Sequence, residues 1–382
     1  MRSSTRRTLV ISLLGLASCF YLAAADGARW IDFEFPADSP VLVSSFSLGP
    51  TRAHVLGSSM ALDLHALVVL RNTGTKPIAG LTLRVEAPGL SSAGKGSVTV
   101  PSLHAQPGDS FPVHIDMQLR RPFSTAVNSA VLKISLDCAL FSDLTAYGPD
   151  TLGSHRALMV YELEARRDRQ YVAYLLATGQ LAELRRELNF GLQDFSPLQL
   201  GLALFQDANH RLSYEPAMQI GAFSFPDAPV QAVGGAARVE HNQVNISHIR
   251  LFNRSRKTVR SVDMGWIVRD EQGRIFVAGT LPATTQIGPV ATATTSEPET
   301  MRFSRPGGEP MSIAGLVTFV NAVEFADGKL WIPTRADINA ATADPILRRQ
   351  LAASPEQQRL ADIYRKKGLA GLERELYPNK QE

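Results

Sequence analysis

The chain has 382 residues, of which 45% are apolar and 20% charged, a composition typical of folded domains rather than intrinsic disorder. The length allows two ordinary domains. Without Arg2, Arg6 and Arg7 near the N-terminus, basic and acidic residues are equal in number at 36 each, so no global charge attracts the chain to nucleic acid.

Residues 1–25 are predicted to be a signal peptide or a membrane anchor, because basic residues are followed by an apolar run and then by small residues. Three fates stay open. Cys19 in LASC fits a bacterial lipobox and would be acylated. Small residues around Ala23 and Ala25 fit ordinary cleavage. Residues 9–25 could instead remain as an anchor, at the short limit for a membrane span. Each fate implies export to the periplasm or cell envelope, with Cys19 as the lipidation candidate.

A first β-sandwich is predicted over residues 40–152. In ALDLHALVVL, residues 61–70, every second residue from Leu62 is apolar. The run FPVHIDMQL, residues 111–119, alternates in the same way, with His114 on its polar face. This period of two is typical of half-buried strands. Turn-forming sequences such as NTGTKP and QPGD separate the runs, which favours an antiparallel sandwich.

A helical connector is predicted over residues 155–212. One helix is indicated by residues at helical spacing that end in a capping glycine: Tyr171, Tyr174, Leu175, Thr178 and Gly179. A second short helix is indicated by Leu181, Leu184 and Leu188. The mixed charges of EARRDR, residues 164–169, and of YRKKG, residues 364–368, are expected on solvated helix faces.

Residues 216–336 are predicted to form a second β-sandwich that repeats the first. The stretch VVLRNTGTKPIAGLTLRVEA corresponds to IRLFNRSRKTVRSVDMGWIVRD, with Asn72 matching Asn253. SSFSL, residues 44–48, is aligned with GAFSF, residues 221–225. Phe141 and Asp143 of ALFSDLTAYGP are matched by Phe325 and Asp327 of VEFADGKLWIP. A unit of about 150 residues therefore occurs twice.

A helical C-terminal segment is predicted over residues 340–382. Asp344 and Pro345 fit the N-cap and first position of a helix, and SPEQ, residues 354–357, resembles a capping box. GLAGLEREL near the end of the chain repeats GQLAELRREL of the connector, so Gly368 should end a helix as Gly179 does. Upstream, Asp327 and Gly328 predict a tight hairpin turn.

The duplicated hairpins carry a family resemblance. A strand that ends in Asn, a short polar break, a second strand and then D-x-x-G resemble bacterial immunoglobulin-like modules of the CARDB, FxLYD and fibronectin-type kind. The likeness covers residues 62–86 and 244–273, and the first copy departs from it, with EAPG where the second has RDEQG. It implies a role in adhesion, spacing or binding and carries over no catalytic residue.

The motifs that suggest chemistry favour structural explanations. GLSSAGKG, residues 89–96, is similar to a phosphate loop, but Gly96 stands where a hydroxyl is needed and a strand pattern follows where a helix should begin. Asp143 and Asp327 recur at equivalent positions and could be calcium ligands, yet Asp327 before Gly328 favours a turn. Cys138 lies among apolar residues, so a buried, inert thiol is expected.

The histidines form no recognisable metal motif. His241 and His248 are seven residues apart in a predicted strand, and His65 and His114 lie on polar strand faces. A zinc site that brings together histidines distant in sequence remains an alternative. The three tryptophans, Trp30, Trp266 and Trp331, would be needed for a glycan-binding platform, but Trp266 and Trp331 fall in strand patterns where core packing is expected.

Together the sequence predicts a mainly β chain with added helices, as two antiparallel immunoglobulin-like β-sandwiches, each followed by a short helical segment. The expected function is a non-enzymatic binding, adhesion or scaffolding role in a bacterial envelope, without a cofactor. The partner would be an envelope protein or a surface glycan, and the N-terminal segment would contact the membrane. The alternatives are a periplasmic chaperone-like protein and a carbohydrate-binding accessory module.

Overall fold

The computed structural model describes residues 31–50, 52–56, 59–86, 95–122, 132–193, 199–205, 218–283, 285–295, 300–304 and 311–377. The chain divides into two compact units, Met1–Leu158 and Met159–Glu382. Both are mainly β, as predicted. Cys19 and the leader lie outside the described residues. No helix within the described residues is long and apolar enough to cross a bilayer.

The described residues of the first unit form nine strands: β1 (Ile31–Glu34), β2 (Val41–Leu48), β3 (Arg52–Leu56), β4 (Ser59–Asn72), β5 (Ile78–Glu86), β6 (Lys95–Val100), β7 (Ser110–Pro122), β8 (Leu132–Phe141) and β9 (Ala146–Tyr147). They form two sheets. In one, β4 pairs with β7 on one side and with β2 and β3 on the other. In the second, the order is β1-β8-β5-β6, and β9 also pairs with β8.

The two sheets of the first unit share one hydrophobic core. Alternate residues of β4, among them Leu64, Val68 and Leu70, are buried in the same cluster as Leu83 and Ile134 of the other sheet. The predicted alternation is thus confirmed, since the residues between them face outwards. Each such fully buried aliphatic side chain stabilises the fold by about 1.5–3 kcal/mol.

The second unit contains the strands β10 (Gln199–Phe205), β11 (Met218–Ala222), β12 (Val230–Glu240), β13 (Gln243–Asn253), β14 (Val259–Asp270), β15 (Ile275–Ala283), β16 (Thr292–Thr295), β17 (Thr300–Ser304), β18 (Ile313–Phe325) and β19 (Leu330–Trp331). Their pairing closes on itself, because β11 pairs with both β12 and β18, and β10 pairs with both β15 and β17. The enclosed core includes Trp266 and Phe303.

Five helices lie in the described part of the chain: α1 (Ser154–Ala177), α2 (Leu181–Gln193), α3 (Arg335–Ala341), α4 (Pro345–Ala352) and α5 (Pro355–Leu376). Asp344 caps α4 and Ser354 caps α5, each with proline in the first turn, as predicted. Gly179, after α1, and Gly368, within α5, both have positive φ, 67° and 64°. Gly368 kinks α5, so each of the two matched glycines separates two helical pieces.

Two further clusters place the helices of the second unit. Ile338 of α3 and Leu351 of α4 pack with Ile267 and Phe319, which lie on the outer face of β14 and β18. This packing explains why β14 is buried almost throughout its length. Helices α1, α2 and α5 contribute to a separate cluster through Leu175, Leu184, Leu188, Leu360 and Leu372.

The strand pairing of the first unit recurs in the second: β1 pairs in parallel with β8, as β11 does with β18, and the connections β4–β5 and β13–β14 correspond. The predicted hairpin at residues 68–87 is wrong, because β4 and β5 lie in different sheets and do not pair with each other, and β13 does not pair with β14. A polar turn between two apolar strands has the same sequence pattern whether the strands pair or belong to different sheets. The alignment of residues 44–48 with residues 221–225 is wrong. By pairing, the segment that contains β1, with DFEFP at residues 32–36, is the counterpart of the segment that contains β11, with AFSFP at residues 222–226. Both segments carry the same Phe-x-Phe-Pro spacing, which the shorter, serine-rich match concealed.

The predicted domain boundaries and strand directions also differ from the structure in three places. The strands of the first unit begin with β1, before the predicted boundary at residue 40, since β1 pairs with β8. A strand of four residues is too short to show the alternation of apolar and polar residues. The connector is not wholly helical, because residues 199–205 form β10, and a short apolar run does not distinguish helix from strand. The sheets are not purely antiparallel, since β1–β8, β10–β15 and β11–β18 are parallel pairs.

Candidate functional site

Each unit uses one buried asparagine to shape the turn between two consecutive strands that do not pair with each other, β4 and β5 or β13 and β14. The side-chain nitrogen of Asn72 donates to the carbonyl oxygens of Lys76 and Ala105, both at 3.0 Å, and its oxygen accepts from the Gly74 amide at 3.0 Å. The nitrogen of Asn253 donates likewise to the carbonyl of Lys257 at 2.8 Å. The predicted correspondence of the two asparagines is therefore confirmed, and the turn sequence RNTG is part of the scaffold.

A lysine of the same turn holds the matched aspartates. The Lys76 ammonium lies 2.7 Å from Asp143 Oδ2, and the Lys257 ammonium lies 2.7 Å from Asp327 Oδ2. Each lysine also lies over the ring of the matched phenylalanine, 5.6 Å from Phe141 in the first unit. The hydrogen bond from lysine lowers the pKa of both carboxyls. Each aspartate also accepts from a backbone amide two residues further on, Asp143 from Thr145 at 3.0 Å and Asp327 from Lys329 at 3.1 Å, as the turn interpretation predicts. The lysine contact then fastens one turn to another.

A buried charge cluster lies among the helices of the second unit. Asp168 of α1 is fully buried. It accepts from Arg167 Nε at 3.0 Å and from Arg335 Nε at 2.9 Å, and the Ser354 hydroxyl donates to it as well. Burial alone would raise the pKa of Asp168, but the two guanidiniums outweigh it and lower that pKa. The expectation that EARRDR is solvated is therefore wrong for Arg167 and Asp168.

The same cluster continues into α2 and α5. Arg335 lies over the Tyr171 ring, 4.8 Å from its centroid, and its Nη1 lies 3.4 Å from Glu187. The buried Glu356 lies 2.8 Å from Arg359 and 3.3 Å from Arg169. Opposite charges thus compensate the buried carboxylates, and the arrangement can fix the positions of the helices. YRKKG, in contrast, is exposed at Arg365, Lys366 and Lys367, as predicted.

One carboxylate near the cluster is less well compensated. Glu164 of α1 is buried and accepts from Asn321 of β18 at 3.3 Å. Burial raises the pKa of Glu164 to about 6, against the opposing effects of Arg167 and of the Asn321 hydrogen bond. Asp168 and Asp263 add a smaller contribution in the same direction as burial. Glu164 is therefore a group that changes charge near neutral pH.

The remaining predicted residues do not come together. Cys138 is buried, and burial raises the pKa of its thiol to about 12, so the thiol is unreactive as expected. His65 is exposed and pairs with Asp116 at 2.7 Å, and His114 is exposed on the same sheet. Within the described ranges, no three His, Cys, Asp or Glu side chains are placed to hold a metal ion.

The phosphate-loop-like motif and the tryptophans lie partly outside the described residues. Residues 89–94 of GLSSAGKG lie outside the described residues, but Lys95 and Gly96 belong to β6, so a strand and not a helix follows the loop. Trp30 also lies outside. Trp266 is fully buried, and Trp331 packs against the core, so neither presents a flat surface to a sugar ring.

In the part of the chain that the structure describes, the first unit leaves one side of its two sheets open. β6 pairs only with β5, and β7 only with β4, among the strands that the structure describes. The inward residues of this side, Val98, Val100 and Met117, are only partly buried. At Gly96 the two edges meet: a Cβ there would lie 3.2 Å from Met117 Cε. Edge strands of this kind present unpaired backbone N–H and C=O groups.

The second unit covers the corresponding side with a strand. β10 runs parallel to β15 at Gln199 and Leu200 and then antiparallel to β17 from Gly201 to Phe205. β15 and β17 are the counterparts of β6 and β7 in strand order. Their inward residues Phe276, Met301 and Phe303 are at most 3% exposed. On this side, the units thus differ by β10, which lies in a stretch that was predicted to be a helical connector.

Comparisons with known proteins identify no family. No protein-family model matches the chain, and no curated protein matches it. Among solved structures, it is similar to a chain described as pT26-6p at 10% identity, covering 94% of this chain and 76% of that one, with a TM-score of 0.15. A β-glucosidase from Kluyveromyces marxianus matches at 9% identity over 69% of this chain and 45% of its own, also at 0.15. Likeness at this level carries no argument about fold or function.

Proposed function

We propose that this chain is an exported bacterial envelope protein, anchored through its N-terminal segment, with a non-catalytic binding or scaffolding role. We also propose that its two units are immunoglobulin-like modules related to the CARDB, FxLYD and fibronectin-type group. The repeated strand order and the recurring Asn-containing turns support that assignment. The single observation that favours binding is the open side formed by β6 and β7, because its duplicate is covered.

The site chemistry is in keeping with this role. The recurring polar residues fasten turns, and the buried ionic groups of the second unit connect helices. A partner of such a protein would be another envelope protein, since the buried Trp266 and the packed Trp331 give little support to glycan binding. The function would then be to hold a partner near the membrane.

Crosslinking in intact cells tests the binding role. A photo-crosslinking residue at Ser97 or Thr99, both exposed on β6, should capture one defined envelope protein. The same residue at Lys366, exposed on α5, is the matched control and should not capture that protein. Capture of the same protein from all three positions, or of none from β6, would contradict binding at this edge.

The anchor is tested separately by Cys19→Ala. A lipidated protein should lose its acylated form and its membrane retention in this variant, as measured by mass spectrometry and membrane fractionation. Unchanged processing and unchanged retention would rule out lipidation. An uncleaved leader seen by mass spectrometry in the wild type would show that residues 9–25 act as the anchor instead.

A further inference from the structure

We propose that the open side of the first unit accepts an extended strand from the bound partner, in the place that β10 occupies in the second unit. This inference rests on the proposed binding function and names its mode. The partner segment is a β-strand in which apolar residues alternate, of the chemical type of β10, and it would complete both sheets at once.

The strand pairing of the two units differs on one side. The other side is bridged in both units by the chain that enters the unit: β1 pairs with β8 and β2 with β4, and β11 pairs with both β18 and β12. Among the described strands, the side in question is bridged only in the second unit, by β10. β10 pairs with backbone groups of β15 and β17, whereas β6 and β7 each keep one free edge among the described strands.

The inward side chains on this side of the two units differ in burial. Val98 and Met117, which point between the sheets at the open side, are only partly buried, whereas Phe276 and Phe303 on the covered side are 3% and 0% exposed. A strand laid along β6 and β7 would bury the first pair as β10 buries the second. Apolar surface removed from water contributes about 25 cal/mol per Å², so the first unit gains stability from the added strand.

The sequence of β10 indicates the chemistry of the occupant. QLGLALF places leucine at every second position, 200, 202 and 204, with glycine and alanine between. Alternate residues of a strand share one face, so one face of the occupant is apolar and the other small. Main-chain hydrogen bonds would supply affinity and the alternate side chains specificity, as in strand addition generally. At Gly96 the space is filled by the flexible Met117 side chain, which the strand would displace.

The test uses the full-length protein and a synthetic peptide. The probe is QLGLALF with a solubilising lysine tail and a fluorophore, and the control peptide has proline in place of the residue equivalent to Ala203. The first peptide should bind, measured by fluorescence anisotropy, and the proline peptide should not, because proline lacks the N–H that an added strand must donate.

Two variants locate the binding. Met117→Lys puts a charge inside the open side and should weaken binding at least about tenfold, the equivalent of ~1.4 kcal/mol. His114→Lys puts the same charge on the exposed face of the same strand and should bind like the wild type. Thermal unfolding checks that both variants are folded. In the wild type, hydrogen exchange with the peptide present should slow at residues 95–100 of β6 and 118–122 of β7.

The outcomes separate this inference from the binding function. Failure of the peptide to bind, equal binding by both lysine variants, or protection confined to β15 and β17 would overturn strand addition at the first unit. If Ser97 still captures a partner and Met117→Lys does not reduce that capture, the binding function stands and the strand mode is wrong. If no partner is captured while the peptide binds and protects β6 and β7, the strand site is real and the proposed envelope role fails.

Discussion

Replacing Glu164 by glutamine is expected to stabilise the protein at neutral pH and to have little effect in acid. Glu164 is buried on α1, and its carboxyl accepts from the Asn321 amide at 3.3 Å. Glutamine has the shape of the protonated acid and keeps an oxygen for that hydrogen bond. The variant therefore removes the buried charge without opening a cavity.

The magnitude follows from the pKa of Glu164, which burial raises from an ordinary 4.5 to about 6. That difference corresponds to ~2 kcal/mol in favour of the protonated form in the folded protein. Because the folded state binds the proton more tightly than the unfolded state, this contribution to stability is complete below pH 4.5. It is lost as the pH rises through 6. We expect Glu164→Gln to raise the free energy of unfolding by ~2 kcal/mol at pH 7.5 and by nearly nothing at pH 4.5.

Urea unfolding at several pH values between 4 and 8, followed by tryptophan fluorescence, measures this difference. Glu183→Gln is the matched control, since Glu183 is a partly exposed residue of α2 that pairs with Arg186 across one helical turn. Such surface pairs contribute less than ~1 kcal/mol, so this control should lower stability slightly without a step near pH 6. The assigned role of burial would be refuted if Glu164→Gln lowered the free energy of unfolding at pH 7.5. It would also be refuted if the gain in that free energy were the same at every pH.

Three further predictions concern the second unit, each measured by urea unfolding at pH 7.5. Asn253→Ala should lower the free energy of unfolding by about 3 kcal/mol, because several buried backbone groups lose their hydrogen-bond partner. An unchanged urea midpoint would contradict the role of Asn253 in the turn. Asp168→Asn should cost about 3–5 kcal/mol, since two guanidiniums lose their buried counter-charge, and a stable variant would show that water replaces it. Gly265→Ala should lower the free energy of unfolding by about 1–3 kcal/mol, because its Cβ would lie 2.3 Å from Phe319 Cζ. Gly279→Ala is the control: its Cβ would meet no atom within 4 Å, so the free energy of unfolding should change by less than ~0.5 kcal/mol.

The elements with a clear local signal were predictable. Alternation in β4 and β7, the glycine after Asp327, and the Pro-containing caps at Asp344 and Ser354 are all fixed by interactions within a few residues. The correspondence of Asn72 with Asn253 was also predictable, because a side chain that binds its own turn constrains the sequence around it. Such features need no knowledge of distant packing.

The features decided by distant contacts were not predictable. EARRDR has the composition of a solvated helix face, and only the arrival of Arg335 and Ser354 from the other end of the unit buries Asp168. Nothing within EARRDR itself distinguishes a buried arginine–carboxylate pair from an exposed one. The edges of β6 and β7, which are free among the described strands, have no sequence signature either, since an edge is defined by the absence of a neighbouring strand.

The duplication makes that edge interpretable. Both units keep the turn asparagine and the fastening pair of lysine and aspartate, so their shared frame has drifted little. The shared strand arrangement does not explain why one side is covered in the second unit only. The covering strand comes from the chain that precedes the other strands of that unit. In the second unit that chain supplies β10, whose short apolar sequence was compatible with helix or strand. The second unit shows that the same strand arrangement can accommodate a strand on this side. A peptide with the sequence of β10 is therefore the sharpest probe of strand binding by the first unit.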